Sequence, residues 1–308
     1  MKGSRRAGRT KHGFSVKPES PEGDGKRPEL EKRLPGLAIT IPRTGSAVSM
    51  RDRRERIFNL PRPVLWIAVL LLAIEGLCQL LPPLAYLEIL QHFAFVPGRF
   101  TYAFDPQRVA EAFDALGGAE EFRAESARFF LGDGRPLWWT PLTYAFLHGG
   151  WLHVGVNCIW FAAFGSAVAR RFGTARFLLF CAAAAVAGAG AHYITHIADL
   201  EPVVGASAAV SGVMAAAARF VFQPGAPLDE RLGFSDRIDE AAAYRQPPLA
   251  LRDIVTNRSA VSFLFFWFLA NLLFGVVPLP AGAGVENAAV AWQAHIGGFL
   301  LGLLGFRW

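Results

Sequence analysis

Three short clusters bring together residue types that do hydrolytic chemistry. They are His148-Gly-Gly-Trp-Leu-His153-Val-Gly-Val-Asn157, Gly205-Ala206-Ser207, and Ala294-His295-Ile-Gly-Gly298-Phe-Leu-Leu-Gly302. A serine hydroxyl becomes a nucleophile when a histidine takes its proton, and the oxyanion that follows needs hydrogen-bond donors aimed at it. Ser207 and His295 are the residue types for the first task. His153 and Asn157, four apart and so on one helix face, are suited to the second. Each cluster also has a plain structural reading. Polar side chains at helix interfaces satisfy one another, and a helical serine commonly bonds the carbonyl one turn back. Gly205 tilts its cluster toward function, because glycine lets a substrate backbone come close.

The elements that must hold these residues are apolar. Of 308 residues, 53% are hydrophobic and only 18% are charged, whereas soluble domains carry about 25% charge. The excess is gathered into six stretches, roughly 63–82, 151–169, 176–196, 204–222, 260–279 and 289–306. A helix needs about 20 residues to cross a bilayer, so each is expected to be a membrane helix. The fourth stretch is almost entirely Ala, Gly, Ser and Val, too weakly apolar for a lipid-facing helix. It belongs in the middle of a bundle, where small residues let backbones approach. Ala294, Gly298 and Gly302 form a four-residue stripe of the same kind on the sixth stretch, which makes the fourth and sixth the expected neighbours. Residues 1–60 are polar and basic without apolar periodicity and are expected to be a disordered cytoplasmic tail, leaving 61–308 as the membrane domain.

A net charge of +6 invites a nucleic-acid partner, but its placement excludes one. With the N-terminus inside, 26 of the 31 Lys and Arg fall in inside segments and five outside. That asymmetry records membrane orientation and puts both termini in the cytoplasm. The segment 83–138 is too long for a simple connection and ends in Pro136-Leu-Trp-Trp. It is expected to lie on the outer leaflet as amphipathic helices. Cys78, Cys158 and Cys181 all sit in apolar stretches and behave as small hydrophobes. His192 and His196 have a metal-like spacing, but no acidic ligand shares their face and no His-Glu-x-x-His occurs. No metal and no cofactor are expected.

Taken together, the clusters resemble the rhomboid family in order, spacing and helix assignment, from about Pro63 to the C-terminus. The family's His-x4-His-x3-Asn pattern is met by His148, His153 and Asn157. Gly-x-Ser is met by Gly205 and Ser207, and Ala-His-x2-Gly-x3-Gly by Ala294 through Gly302. The resemblance implies an all-α bundle of six transmembrane helices with a large membrane-associated first outer loop. It implies an intramembrane serine endopeptidase with Ser207 as nucleophile and His295 as general base, cutting transmembrane protein substrates within the lipid bilayer. His153, Asn157 and the Ser207 N–H would form the oxyanion hole, and His148 would support the surrounding loop. The Gly/Pro-rich connection Pro278–Glu286 would act as a cap. A bacterial inner membrane is the expected location.

Three positions depart from the family pattern. Ala208 stands where a glycine usually follows the serine, Ser211 where an aromatic often stacks on the histidine, and Trp139-Thr140 where a Trp-Arg pair is usual. They keep open an alternative, a catalytically weak or inactive rhomboid-like protein that binds transmembrane segments. A channel or transporter would call for charges at mid-membrane, and Glu75 is the one clear acidic candidate.

Overall fold

A computed structural model describes residues 60–115, 121–228, 243–276 and 291–307, all within the unit Arg56–Trp308. Most of the expected tail and the Pro278–Glu286 connection lie outside the described residues. Regular structure among the described residues is helical, with no strand and one isolated bridge, Phe95–Val203.

Prolines open the early helices, at positions whose N–H would have no intrahelical partner anyway. They begin α1 (Arg62–Gln79), α2 (Pro83–Phe93), α3 (Pro97–Tyr102), α4 (Pro106–Ala115) and, after α5 (Glu121–Leu131), the single turn α6 (Thr140–Thr143). Helix α7 (Trp151–Trp160) continues through a π-helical turn, Phe161–Gly165, into α8 (Ser166–Phe172). Gly173, at φ 74°, ends α8 in a left-handed conformation that a side chain would resist, and α9 (Thr174–Thr195) follows at once. The remaining helices are α10 (Ser207–Ala218), α11 (Leu251–Ile254), α12 (Arg258–Val276) and α13 (Trp292–Leu304).

Among the described residues, Arg62–Gln79, Trp151–Phe172 and Thr174–Thr195 are long and apolar enough to cross a membrane. Helix α10 is not: its 12 residues span about 18 Å, against about 30 Å of hydrocarbon. The expected stretch 204–222 thus contains a shorter helix. The residues before Ser207 are held extended by the bridge to Phe95, and the chain turns after Ala218. Every residue from Ala208 to Ala218 is buried, so other helices and not lipid determine its length.

Helices α9, α10 and α13 form the centre, and small residues set their spacing. A Cβ placed on Gly298 would lie 2.0 Å from the Ala208 carbonyl oxygen, and one on Gly302 2.1 Å from that of Gly212. On α9, a Cβ on Gly188 would lie 2.4 Å from the Ala208 Cβ, and one on Gly297 of α13 would lie 2.4 Å from the Ala187 oxygen of α9. The backbones therefore touch, as in other helix pairs built on small residues. Ala208 points its methyl at Gly188 of α9, and the absence of a side chain there accommodates it.

At the end of α10 far from Ser207, Phe306 is sandwiched by Arg171 and Arg219, 4.9 and 5.3 Å from its ring centre. Arg219 also donates to the Leu249 and Leu303 carbonyls, the latter at the C-terminal end of α13. Buried Arg99 ties the α2–α6 region together by donating to the carbonyls of Gln91 and Arg135 and to Asp133.

Candidate active site

The loop that leads into α10 is clamped from three sides. Val203 exchanges two backbone hydrogen bonds with Phe95, the Gly205 N–H donates to the Tyr144 carbonyl at 3.0 Å, and the Ala206 N–H donates to His148 Nε2 at 3.3 Å. Tyr144 is itself fixed, its hydroxyl donating to the Ala185 carbonyl of α9 at 2.8 Å. These bonds force the helix to begin at Ser207. Amides in a first helical turn have no intrahelical acceptor, and the helix dipole adds partial positive charge there. The Ser207 N–H is such an amide. Ser207 itself is partly exposed.

Gly205 is required twice over. Its φ of +127° disfavours any side chain, and a Cβ would lie 2.8 and 2.9 Å from His153 Cε1 and Nε2. The same phantom Cβ is 3.6 Å from Ser207 Oγ. Bare backbone at position 205 therefore lets the His153 ring lie against the loop, beside the serine.

The tautomer of His153 follows from its partner. The Gly149 N–H donates to His153 Nδ1 at 3.3 Å. Nδ1 is then the acceptor, and in the neutral ring the proton sits on Nε2, on the side of the ring that meets the loop. His153 presents a donor toward Ser207. Its ring meets that of His148 edge to face, with centres 5.0 Å apart. Asn157, one turn further along α7, is buried and spends one amide hydrogen on the His153 carbonyl at 3.0 Å. The second amide hydrogen remains for a ligand.

His295 arrives on α13. Gly298 matches Ala208 and Gly302 matches Gly212, a constant offset that makes α13 parallel to α10. His295 is then level with Gly205, about 3 Å along the axis from Ser207 at 1.5 Å per residue. It lies within electrostatic range of His153. Ser207 and His295 share no hydrogen bond in this structure; such bonds often tighten only with substrate bound. His295 Nδ1 is hydrogen-bonded instead to Asn271 Oδ1 of α12.

Of the six residues singled out from the sequence, His148, His153, Gly205 and Ser207 meet at the start of α10, Asn157 joins them through the His153 carbonyl, and His295 lies level with Gly205 on α13. Two residues bonded to this group were not legible. Tyr144 contributes through its backbone and leaves no motif. Asn271 interrupts the apolar run 263–276 of α12, and that isolation was the signal, since polar groups in such runs are costly. Ser211, one turn into α10, is buried. His192 and His196 stack in parallel, 4.4 Å apart, and no group of three metal-ligating side chains occurs among the described residues.

The rhomboid-domain family model matches residues 135–306, more than half of the chain, and takes in all six of these residues. The chain belongs to the rhomboid family, a helical membrane family whose usual activity is serine intramembrane proteolysis. Among curated proteins, none matches it.

Proposed function

We propose that the protein is an intramembrane serine endopeptidase that cuts transmembrane segments of membrane proteins. The observation that carries this reading is the start of α10 at Ser207, with the His153 ring against Gly205 and His295 level with it. In the reaction, His295 Nε2 takes the Ser207 proton as Oγ attacks the peptide carbonyl, then returns it to the leaving amine. Water hydrolyses the acyl-enzyme by the same relay. The tetrahedral oxyanion accepts from the Ser207 N–H, His153 Nε2–H and the spare amide hydrogen of Asn157. His148 holds Ala206, and through it the position of the Ser207 amide.

Six membrane crossings, with both termini in the cytoplasm of a bacterium and the site near the outer ends of α7, α10 and α13, complete the proposal. That depth admits water to a reaction that consumes it. A substrate helix hides its carbonyls in intrahelical bonds, so it must unwind locally before attack.

A fluorophosphonate probe tests the nucleophile directly. Purified protein in detergent should be labelled, with the adduct on Ser207 by peptide mass spectrometry, and Ser207→Ala should not be. Labelling on Ser211, or none in the wild type, would overturn the assignment. The absence of a Ser207–His295 hydrogen bond favours the binding-only alternative, which predicts capture of transmembrane segments by an unlabelled protein.

A further inference from the structure

The base of a serine–histidine pair works only if its free lone pair faces the hydroxyl. A histidine with neither ring nitrogen held can rotate or carry its proton on the wrong atom. Where relatives often place an aromatic against this histidine, α10 has Ser211, so something else must hold the ring. Asn271 Nδ2 donates to the Trp267 carbonyl, one turn back on α12, at 2.8 Å. That bond fixes which end of the amide is nitrogen. The end facing His295 Nδ1 is therefore the carbonyl oxygen, which can only accept. The proton of neutral His295 must sit on Nδ1, and Nε2 keeps its lone pair. The same stretch of α12 is braced on α13 by Trp267 stacked on Phe299, 4.2 Å between centres.

We propose that Asn271 is the positioning residue of this protease: the Trp267 carbonyl orients its amide, and its Oδ1 holds His295 in the Nδ1–H tautomer with Nε2 toward Ser207. The inference rests on the reading of Ser207 and His295 as nucleophile and base. The two histidines of the site are then held in opposite tautomers for opposite tasks. Gly149 makes His153 a donor, and Asn271 makes His295 an acceptor. No proton leaves the Asn271 side chain at any stage; as His295 becomes doubly protonated, the same Oδ1 goes on accepting from Nδ1–H.

The test reads the tautomer apart from turnover. The full chain, labelled with nitrogen-15 histidine and held in detergent, gives ring-nitrogen resonances, and His295→Gln identifies the pair belonging to His295 among the seven histidines. Wild type should show protonated Nδ1 and unprotonated Nε2. Asn271→Leu should lose that preference, and Asn271→Asp, which keeps an acceptor, should restore it. In parallel, kcat should fall about tenfold or more in Asn271→Leu with KM little changed, and recover in Asn271→Asp. Asn271→Ala, which also removes the acceptor, serves if the leucine variant fails to fold. An unchanged tautomer in Asn271→Leu, or equal loss of kcat in the leucine and aspartate variants, would overturn the proposal. A wild type that cleaves nothing would count against the protease reading alone, because the resonances report the Asn271 contact without turnover.

Discussion

Gly205 shows most sharply how one residue sets the site. With φ at +127° and the His153 ring 2.8 Å from where a Cβ would stand, Gly205→Ala must displace the ring, the loop or both. Losing one oxyanion donor typically costs about 10²–10³ in rate. The variant is therefore expected to lose about 100-fold in kcat/KM on a transmembrane substrate, measured in detergent; full activity would mean that His153 is not a donor. His148 makes a second, pH-dependent prediction. Burial, reinforced by the neighbouring His153, pushes its pKa down from 6.5 to about 3. A value depressed on folding means that the neutral ring contributes stability in full above about pH 6.5, lost as the pH falls toward 3. Below pH 6.5 the wild type should lose up to about 1.4 kcal/mol per pH unit relative to His148→Gln, which still accepts from the Ala206 N–H but does not titrate. Melting curves between pH 7 and pH 4 decide it, and parallel losses would contradict the contact. At this scale the sequence was most legible where spacing carried the information, as in His153 with Asn157. It was silent on tautomers, because those are decided by Gly149 and Asn271, partners that only the folded chain brings near.

At the scale of elements, the glycine stripe is the controlling feature. Gly298 and Gly302 let α13 lie against α10 so closely that backbone oxygens fill the space where methyls would go. Gly298→Ala should force the helices apart at the level of the site. Overpacking typically costs about 1–3 kcal/mol, so a lowered melting temperature is expected together with reduced labelling of Ser207. A variant as stable and as reactive as wild type would show that α10 and α13 do not pack as described. The stripe was readable, since small residues at four-residue spacing have few other uses in an apolar helix. The length of α10 was not. Composition alone extends that helix from 204 to 222, and nothing local reveals that Phe95, Tyr144 and His148 hold the preceding residues extended. That early clamp is what places Ser207 at a helix N-terminus.

For the whole molecule, the physical problem that the proposed function poses is hydrolysis inside an apolar medium. The central α9–α10–α13 unit is walled by other helices, and its histidines and Ser207 lie toward one end. At the other end Arg171 and Arg219 close on Phe306. A scaffold fixed at one end, with Ser207 and His295 partly exposed at the other, suits the proposed site, which would receive a peptide from lipid and water from outside. The membrane character was legible from composition, because 53% hydrophobic residues in blocks have nowhere else to go. The placement of α12 beside His295 was not, since its apolar run carries no direction. The measurement that bears most directly on the central claim is cleavage in proteoliposomes of a single-pass membrane protein with a helix-destabilised segment. Wild type, Ser207→Ala and His295→Ala would be compared. A defined cut by the wild type and none by either variant is expected. Equal cleavage by all three, or an intact substrate with wild type, would contradict it.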